Sequence, residues 1–349
     1  MKKTRVLLVE DSPTVRNRLR EVLSADPDIE LVGEAADGKQ AIALCLALKP
    51  DVITMDMMMP VMTGLATTEY LMAHCPTPIL IVSSSTNRGE LFRTYDALAA
   101  GAVDVLEKPR GDEPEGVWEE QFLSTLKLVS RIRVITHVRG RFQASASPGL
   151  SALPAASTRC ALMAIGASTG GPSAIIDILN ALPAELSAPL LLVLHINEPF
   201  GTAFADWLDR QTHHRVALAR DGDPVDSARI LMAPPDSHMV VENLRIRLTR
   251  DPERHSCRPS VDVLFESLAR SHGPAVTACL LTGMGRDGAQ GLLAIRNAGG
   301  DTIAQDEASS VVFGMPREAI LLGAAARILP LSEIGPALAV VGAGKDRAR

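Results

Sequence analysis

The sequence lacks a membrane-spanning segment and an excess of basic charge. No apolar run approaches the ~20 residues that cross a bilayer, and 35 Lys and Arg stand against 41 Asp and Glu, a net charge of -6. The first residues, MKKTRVLLVEDSP, do not form a signal peptide because the short apolar run ends at Glu10 and Asp11. These absences predict a cytoplasmic protein with no membrane insertion, and the acidic balance argues against nucleic acid as its main partner.

Cysteine is also scarce and scattered. The chain has five, with no C-x-x-C pair, at positions Cys45, Cys75, Cys160, Cys257 and Cys279. A disulfide framework or a zinc site of paired cysteines would show a regular, closer spacing. The pattern therefore predicts reduced, packed thiols, as expected in the cytoplasm.

What the sequence has in quantity is short apolar runs that alternate with helical patterns. Its 349 residues exceed one typical core and predict two domains. Five βα units predict a five-stranded parallel, flavodoxin-like sheet over residues 1–125. A stretch rich in Ser, Ala, Gly and Pro (139–158) predicts a helix end and linker over residues 126–158. The alternation then restarts, which predicts a doubly wound, mostly parallel α/β domain over residues 159–349. That domain has one strand candidate in HMVVENLRIRLTR and predicted helices at 172–182, 202–211, 261–271 and 288–298.

Polar side chains follow the predicted strands of the first domain. Glu10 and Asp11 come after RVLLV and Asp56 comes after DVITM, while Ser83 and Lys108 end the fourth and fifth strands. Parallel strands bring these ends to one edge, where clustered carboxylates require a cation and suit Mg²⁺. A carboxylate nucleophile, a hydroxyl and an ammonium are the groups that accept and hold a phosphoryl group.

The motifs LLVEDSP, TMDMMMPVMTG, IVSSS and LEKP make the first domain resemble a response-regulator receiver. The resemblance implies that Asp56 accepts phosphate from a partner histidine kinase. It also implies that Glu10, Asp11, Asp56 and the backbone carbonyl of Met58 bind Mg²⁺, directly or through water.

The same resemblance gives roles to the ends of the last two strands. It implies that Ser83 and Lys108 contact the phosphoryl oxygens. One position departs from the family pattern: Val105 stands where an aromatic switch residue usually precedes the lysine by three positions. Phosphate chemistry is unaffected, but rotation of a Tyr or Phe ring cannot be the switch at that position.

The second domain opens with a serine among glycines. Ser168 lies in GASTGG, directly after an apolar strand, and forms a G-x-S-x-G match. Three interpretations fit this stretch: a nucleophile at a strand end, a helix N-cap, or a dinucleotide-binding loop. The last is disfavoured because the motif has no G-x-G start and no acidic residue ends a second strand.

A nucleophilic serine needs a base and a residue that orients the base. His195 ends the strand APLLLVLHI, and Asp287 follows the strand AVTACLLTG within a glycine-rich turn. The imidazole could accept the serine proton, and the carboxylate could fix its tautomer. Asp287 could equally cap the helix that follows it. The competing histidines lie in polar or loop-like segments: His213, His214, His238, His255 and His272.

Long motifs, IGASTGGPSA, RPSVDVLFESLA, LTGMGRDGAQGL and TIAQDEASSVVFGMPREA, resemble the catalytic domain of chemotaxis-type protein-glutamate methylesterases. That family joins a receiver, a linker and this domain in one chain. The resemblance implies hydrolysis of γ-glutamyl methyl esters, and deamidation of glutamines, on methyl-accepting chemotaxis receptors. In it Ser168 attacks, His195 is the base and Asp287 orients it, with no cofactor for this step. Backbone N–H groups near Thr169 and Met284 are candidates for the oxyanion hole.

One segment departs from the family pattern: His195 is followed by INEPFG rather than a Met-Pro-x-Gly-Phe sequence, and Glu198 adds a charge. We expect this to affect substrate choice.

We also expect the unphosphorylated receiver to cover the cleft of Ser168. Two alternatives remain open: an adaptor in which Ser168 only caps a helix, and an esterase for small molecules. A receiver-controlled output acting on DNA is disfavoured by the acidic balance.

Overall fold

The computed structural model describes residues 2–84, 88–109, 114, 116–132, 134, 162–186, 188–196, 198, 200–226 and 229–342. The predicted linker sequence (139–158) lies outside these residues. No helix in the described part of the chain is long and apolar enough to cross a membrane.

The first domain is a five-stranded parallel sheet with the strand order β2-β1-β3-β4-β5. Its strands are β1 (Thr4–Val9), β2 (Ile29–Ala35), β3 (Val52–Met55), β4 (Ile79–Ser83) and β5 (Asp104–Glu107). Helices cover both faces, as Val- and Ile-rich strands require: α1 (Pro13–Ala25), α2 (Gly38–Leu48), α3 (Gly64–His74), α4 (Arg88–Ala99) and α5 (Val117–Val129). The predicted fold class is confirmed here.

The second domain holds a seven-stranded parallel sheet with the order β14-β13-β12-β6-β7-β9-β8. Its strands are β6 (Leu162–Ala167), β7 (Leu190–Leu194), β8 (Val216–Leu218), β9 (Ile230–Met232), β12 (Val276–Leu280), β13 (Asp301–Gln305) and β14 (Arg327–Leu329). The strand order reverses at β6, so the loops after β12, β6 and β7 form a topological switch point. Ligand sites of doubly wound sheets lie at such points.

Six α-helices of the second domain are described, at α6 (Gly171–Ala181), α7 (Phe200–Gln211), α8 (Val261–His272), α9 (Ala289–Asn297), α10 (Met315–Leu321) and α11 (Leu331–Gly342). The four predicted helices correspond to α6 to α9, with each end within two residues. The prediction of one strand across HMVVENLRIRLTR is wrong. That segment forms an antiparallel hairpin of β10 (His238–Glu242) and β11 (Arg245–Thr249). Its turn at Asn243 and Leu244 has φ of 51° and 58°, a left-handed pair that reverses the chain.

The two domains pack against each other through α4 and α7. The ring of Tyr95 on α4 is fully buried, with its centroid 5.2 Å from that of Phe204 and 5.6 Å from that of Trp207. Trp207 Nε1 donates a hydrogen bond to Asp96 Oδ1 at 2.9 Å, and the Tyr95 hydroxyl donates one to the carbonyl of Phe200. Aromatic packing and satisfied polar groups make this contact a specific interface.

Candidate active site and phosphorylation site

A cavity of about 530 Å³ lies between the domains, at the carboxyl ends of β6 and β7. The second domain contributes Ser168, His195, Glu198 and Cys257 to its walls, among others. The first domain contributes residues of β5, together with Lys108 and one side of α5. The predicted catalytic serine and histidine therefore share one cleft, and the receiver-like domain forms its opposite wall.

Ser168 is held by its backbone at the end of β6. Its N–H donates to the carbonyl of Thr282 at 3.0 Å, and its carbonyl accepts from the N–H of Gly171 at 2.7 Å. A Cβ on Gly283 would lie 2.8 Å from the Cβ of Ser168, so only glycine permits this close approach. The N-cap of α6 is Gly170, at φ 77°. The Ser168 hydroxyl caps no helix and has no hydrogen-bond partner among the described residues.

His195 is fixed at the end of β7 and contacts Asp287. Its backbone N–H donates to the carbonyl of Ala167 at 3.0 Å, and its Nε2 lies 2.8 Å from Asp287 Oδ2. Its other ring nitrogen, Nδ1, lies 3.6 Å from Cys257 Sγ. Because a carboxylate accepts, Nε2 carries a proton in both charge states of the ring, and Nδ1 is the nitrogen that gains or loses the second proton.

Asp287 sits at the N-terminus of α8, a contact that the sequence analysis missed. Its Oδ2 accepts from Val261 N at 2.7 Å, while its Oδ1 accepts from Ser260 Oγ at 2.7 Å and from Asp262 N at 3.1 Å. The N-cap of α9 is Gly288, so Asp287 does not cap the helix that follows it. The backbone N–H groups at the N-terminus of a helix favour an anion here.

Burial and hydrogen bonding act in opposite directions on this pair. Burial by itself lowers the pKa of His195, but Asp287 and Cys257 raise it to about 9. For Asp287, burial raises the pKa, but the contact with His195 and the donors at α8 bring it below its usual value. The carboxylate is therefore ionised, and it stabilises a positively charged imidazole.

The two residues whose N–H groups are candidates for the oxyanion hole, Thr169 and Met284, lie in different environments. Thr169 Oγ1 donates to Asp104 Oδ2 of β5 at 2.9 Å, so the residue beside Ser168 is tied to the first domain. The Met284 side chain is 60% exposed. Neither backbone N–H has an acceptor among the described residues, and both remain available to a ligand.

The first domain brings its predicted carboxylates together. Oxygens of Glu10, Asp11 and Asp56 lie within 4.8 Å of one another, and Lys108 Nζ lies 2.9 Å from oxygens of both Glu10 and Asp56. Burial, with the charge of Asp56, raises the pKa of Glu10 to about 7, and burial raises the pKa of Asp56. Hard oxygen donors of this charge fit Mg²⁺ well.

Ser83, Met58 and Val105, which the sequence analysis also singled out in the receiver, each lie in a different environment. Ser83 is buried and its hydroxyl donates to Glu90 Oε1 on α4 at 3.1 Å, not to Asp56. The Met58 carbonyl accepts no hydrogen bond from a described residue, and its thioether sulfur accepts from Arg93. Val105 lines the interdomain cleft, so the position usually held by an aromatic switch contributes an aliphatic wall.

Comparison with known proteins places this geometry in a family. The family model described as "CheB methylesterase" matches residues 163–338, and "Response regulator receiver domain" matches residues 6–114. The chain belongs to the CheB methylesterase family. It is a hydrolase of the CheB type joined to a receiver domain.

Relatives of similar length support the assignment to the CheB family. The chain is 47% identical over 339 residues, 95% of each chain, to protein-glutamate methylesterase/protein-glutamine glutaminase 2 of Pseudomonas aeruginosa. It is 43% identical over 334 residues, 96% of each chain, to the protein of the same name from Anaeromyxobacter dehalogenans. A crystal structure of the Thermotoga maritima CheB methylesterase catalytic domain matches with a TM-score of 0.50 and 33% identity, over 52% of this chain and 98% of that chain.

Proposed function

We propose that this protein hydrolyses γ-glutamyl methyl esters, and deamidates glutamines, on the cytoplasmic part of methyl-accepting chemotaxis receptors. The observation that carries the proposal is the 2.8 Å contact of His195 with the anchored carboxylate of Asp287, at the cleft that also contains Ser168. The names of the relatives supply the modified groups, glutamate methyl esters and glutamine side chains of a protein, and the family resemblance supplies the chemotaxis receptors.

In this proposal His195 Nδ1 is the base. Nε2–H is committed to Asp287, so the Nδ1 lone pair takes the proton as Ser168 Oγ attacks the ester carbonyl. The oxyanion that forms is bound by the N–H groups of Thr169 and Met284, each worth about 3 kcal/mol or more. The imidazolium then protonates the leaving methoxy oxygen, which departs as methanol, or the leaving nitrogen of glutamine, which departs as ammonia. Water, deprotonated by the same nitrogen, hydrolyses the acyl-serine.

We further propose that the arrangement described is the inhibited state. His195 Nδ1 faces Cys257 Sγ at 3.6 Å, while the Ser168 hydroxyl has no hydrogen-bond partner among the described residues. Asp104 holds Thr169, the residue of one oxyanion N–H, at 2.9 Å. Residues of β5 and α5 close one side of the cleft, where a receptor helix would have to enter. Release of the receiver is therefore needed before substrate can bind.

Phosphorylation of Asp56 by a histidine kinase is the proposed trigger. Glu10, Asp11, Asp56 and the Met58 carbonyl would hold Mg²⁺, which when bound neutralises charge on the transferred phosphoryl group. Lys108 contacts Asp56 at 2.9 Å and also lines the cleft.

A second connection runs from the phosphorylation site to the interface. Ser83 hydrogen-bonds Glu90 in the first turn of α4, and Tyr95 and Asp96 on the same helix contact the second domain. A phosphoryl group that draws Lys108 and Ser83 toward itself therefore acts on β5 and on α4, without an aromatic ring at Val105. The linker keeps the released receiver at high local concentration, so a modest interface suffices.

The INEPFG departure bears on specificity. Glu198 lines the cleft, and its Oε1 accepts from Thr202 Oγ1 at 2.6 Å, which orients the carboxylate. We propose that Glu198 favours receptor segments with a basic residue near the modified glutamate.

The test is methanol release from a methylated receptor cytoplasmic fragment. We expect Ser168→Ala to reduce release at least ~10³-fold and Ser173→Ala, a serine on the neighbouring helix, to leave it unchanged. Receptor binding without any methanol release would instead favour the adaptor. Turnover of simple esters with indifference to the receptor would favour the small-molecule esterase.

A further inference from the structure

The second ring nitrogen of His195 faces a thiol that the proposed reaction does not use. Cys257 Sγ lies 3.6 Å from His195 Nδ1, on the wall of the interdomain cleft. The backbone of Cys257 is fixed by two reciprocal hydrogen bonds with Arg254, of 3.0 and 3.2 Å. Between them, His255 and Ser256 take φ of 53° and 58°. The thiol is therefore held by a tight turn rather than by a mobile loop.

The separation of these two atoms matches a pair of metal ligands. Zn–S bonds of about 2.3 Å and Zn–N bonds of about 2.0–2.1 Å at a tetrahedral angle place sulfur and nitrogen roughly 3.6 Å apart. Thiolate and imidazole are also the ligand types that select Zn²⁺ over Mg²⁺.

Asp287 contacts the ring nitrogen of His195 that would not bind the metal. A metal-bound histidine commonly donates its other ring N–H to a carboxylate, which fixes the ring and raises its basicity. Here Nε2 contacts Asp287 at 2.8 Å. Both carboxylate oxygens already accept hydrogen bonds from Ser260, Val261 and Asp262, so Asp287 stays in this outer position.

We propose that Cys257 Sγ and His195 Nδ1 form a binding site for a thiophilic divalent cation of the Zn²⁺ class, with water at the remaining positions. On binding, the Cys257 thiol and Nδ1 of the charged His195 ring each lose a proton to solvent, and the thiolate and the Nδ1 lone pair are given to the metal. The ion then occupies the nitrogen that takes the Ser168 proton, so bound metal inhibits hydrolysis. The predicted inhibition rests on the proposed function, whereas metal binding by Cys257 and His195 does not depend on it.

The binding test uses Co²⁺ as a spectroscopic probe of Zn²⁺ sites, on the full chain with excess Mg²⁺ to fill the carboxylate site. We expect a thiolate-to-cobalt charge-transfer band that saturates near one equivalent and is displaced by Zn²⁺. Cys257→Ser should abolish the band, and Cys75→Ser, which changes another partly buried thiol, should retain it. Absence of the band in the unaltered protein, or its survival in Cys257→Ser, overturns the site.

A second variant and an activity measurement complete the test. His195→Gln removes the nitrogen ligand and should weaken Co²⁺ binding at least ~10-fold, whereas unchanged binding contradicts the site. Zn²⁺ should inhibit methanol release reversibly, with chelator restoring it, and Cys257→Ser should raise the inhibitory concentration at least ~10-fold. A Co²⁺ band without inhibition would leave the metal site standing and contradict the role of His195 as base.

Discussion

Removal of one hydroxyl from the domain interface should activate the enzyme without phosphate. Tyr95 is fully buried between α4 and α7, and its hydroxyl donates to the carbonyl of Phe200, at the start of α7. Burial raises the pKa of this hydroxyl, so it remains a donor throughout the physiological range. Tyr95→Phe keeps the ring contacts with Phe204 and Trp207 and leaves the Phe200 carbonyl without this donor.

The expected size follows from the cost of losing that donor. The Phe200 carbonyl keeps its helical donor, so the loss is that of one buried hydrogen bond, about 0.5–1.5 kcal/mol, and it falls on the closed state in which Tyr95 makes that bond. A loss of about 1 kcal/mol shifts the closed–open equilibrium about fivefold. Methanol release by unphosphorylated Tyr95→Phe should therefore rise about fivefold, while the fully phosphorylated rate stays the same.

Tyr70→Phe is the matched control, because Tyr70 is the only other tyrosine and is 39% exposed on α3. It should leave both rates unchanged. The reasoning is refuted if Tyr95→Phe folds normally, by circular dichroism and thermal melting, yet shows the unaltered basal rate. A lower basal rate would mean that the α4–α7 contact supports the active form instead.

Three further substitutions test other parts of the account. Asp287→Asn should lower kcat/KM by on the order of 10³–10⁴-fold. Because Asp287 raises the pKa of His195 and the base must be neutral, the rising limb of the pH profile, measured in the presence of chelator, should also move to lower pH. A rising limb at the same pH would contradict the pairing of Asp287 with His195. Glu10→Gln should raise the Mg²⁺ concentration needed for phosphodonor labelling of Asp56 by about tenfold, which a Mg²⁺ titration measures; unchanged dependence would remove Glu10 from the site. Gly283→Ala should reduce methanol release at least ~10-fold, because the new Cβ would lie 2.3 Å from Met315 Sδ and 2.8 Å from the Ser168 Cβ. Full activity in the folded variant would show that this packing does not position the serine.

The sheets and the strand-end residues could be predicted because they follow from local pattern. Buried parallel strands are continuous apolar runs, and their carboxyl ends meet at one edge. That reasoning places Glu10, Asp11 and Asp56 together, and brings His195 to Asp287. The β10–β11 hairpin escaped prediction because its turn residues, Asn243 and Leu244, include no glycine to mark a reversal.

Contacts that depend on packing between distant elements could not be predicted. Asp287 precedes α9 in the chain but accepts hydrogen bonds from the N-terminus of α8, and sequence proximity points to the wrong helix. The pairing of Cys257 with His195 depends on a turn 62 positions along the chain, and the spacing of the cysteines argued only against a zinc site of paired cysteines. The orientation of Ser83 toward Glu90 rather than Asp56 is likewise set by the position of α4.

The central claim is that phosphorylation of Asp56 releases a hydrolase whose nucleophile is Ser168. The most direct measurement is methanol release from a methylated receptor fragment, with and without a small phosphodonor plus Mg²⁺, for the intact protein, Asp56→Asn and Ser168→Ala. The account predicts stimulation in the intact protein, only the basal rate in Asp56→Asn, and release from Ser168→Ala at least ~10³-fold below that of the intact protein under either condition. Equal stimulation of Asp56→Asn, or release from Ser168→Ala at the rate of the intact protein, would contradict it.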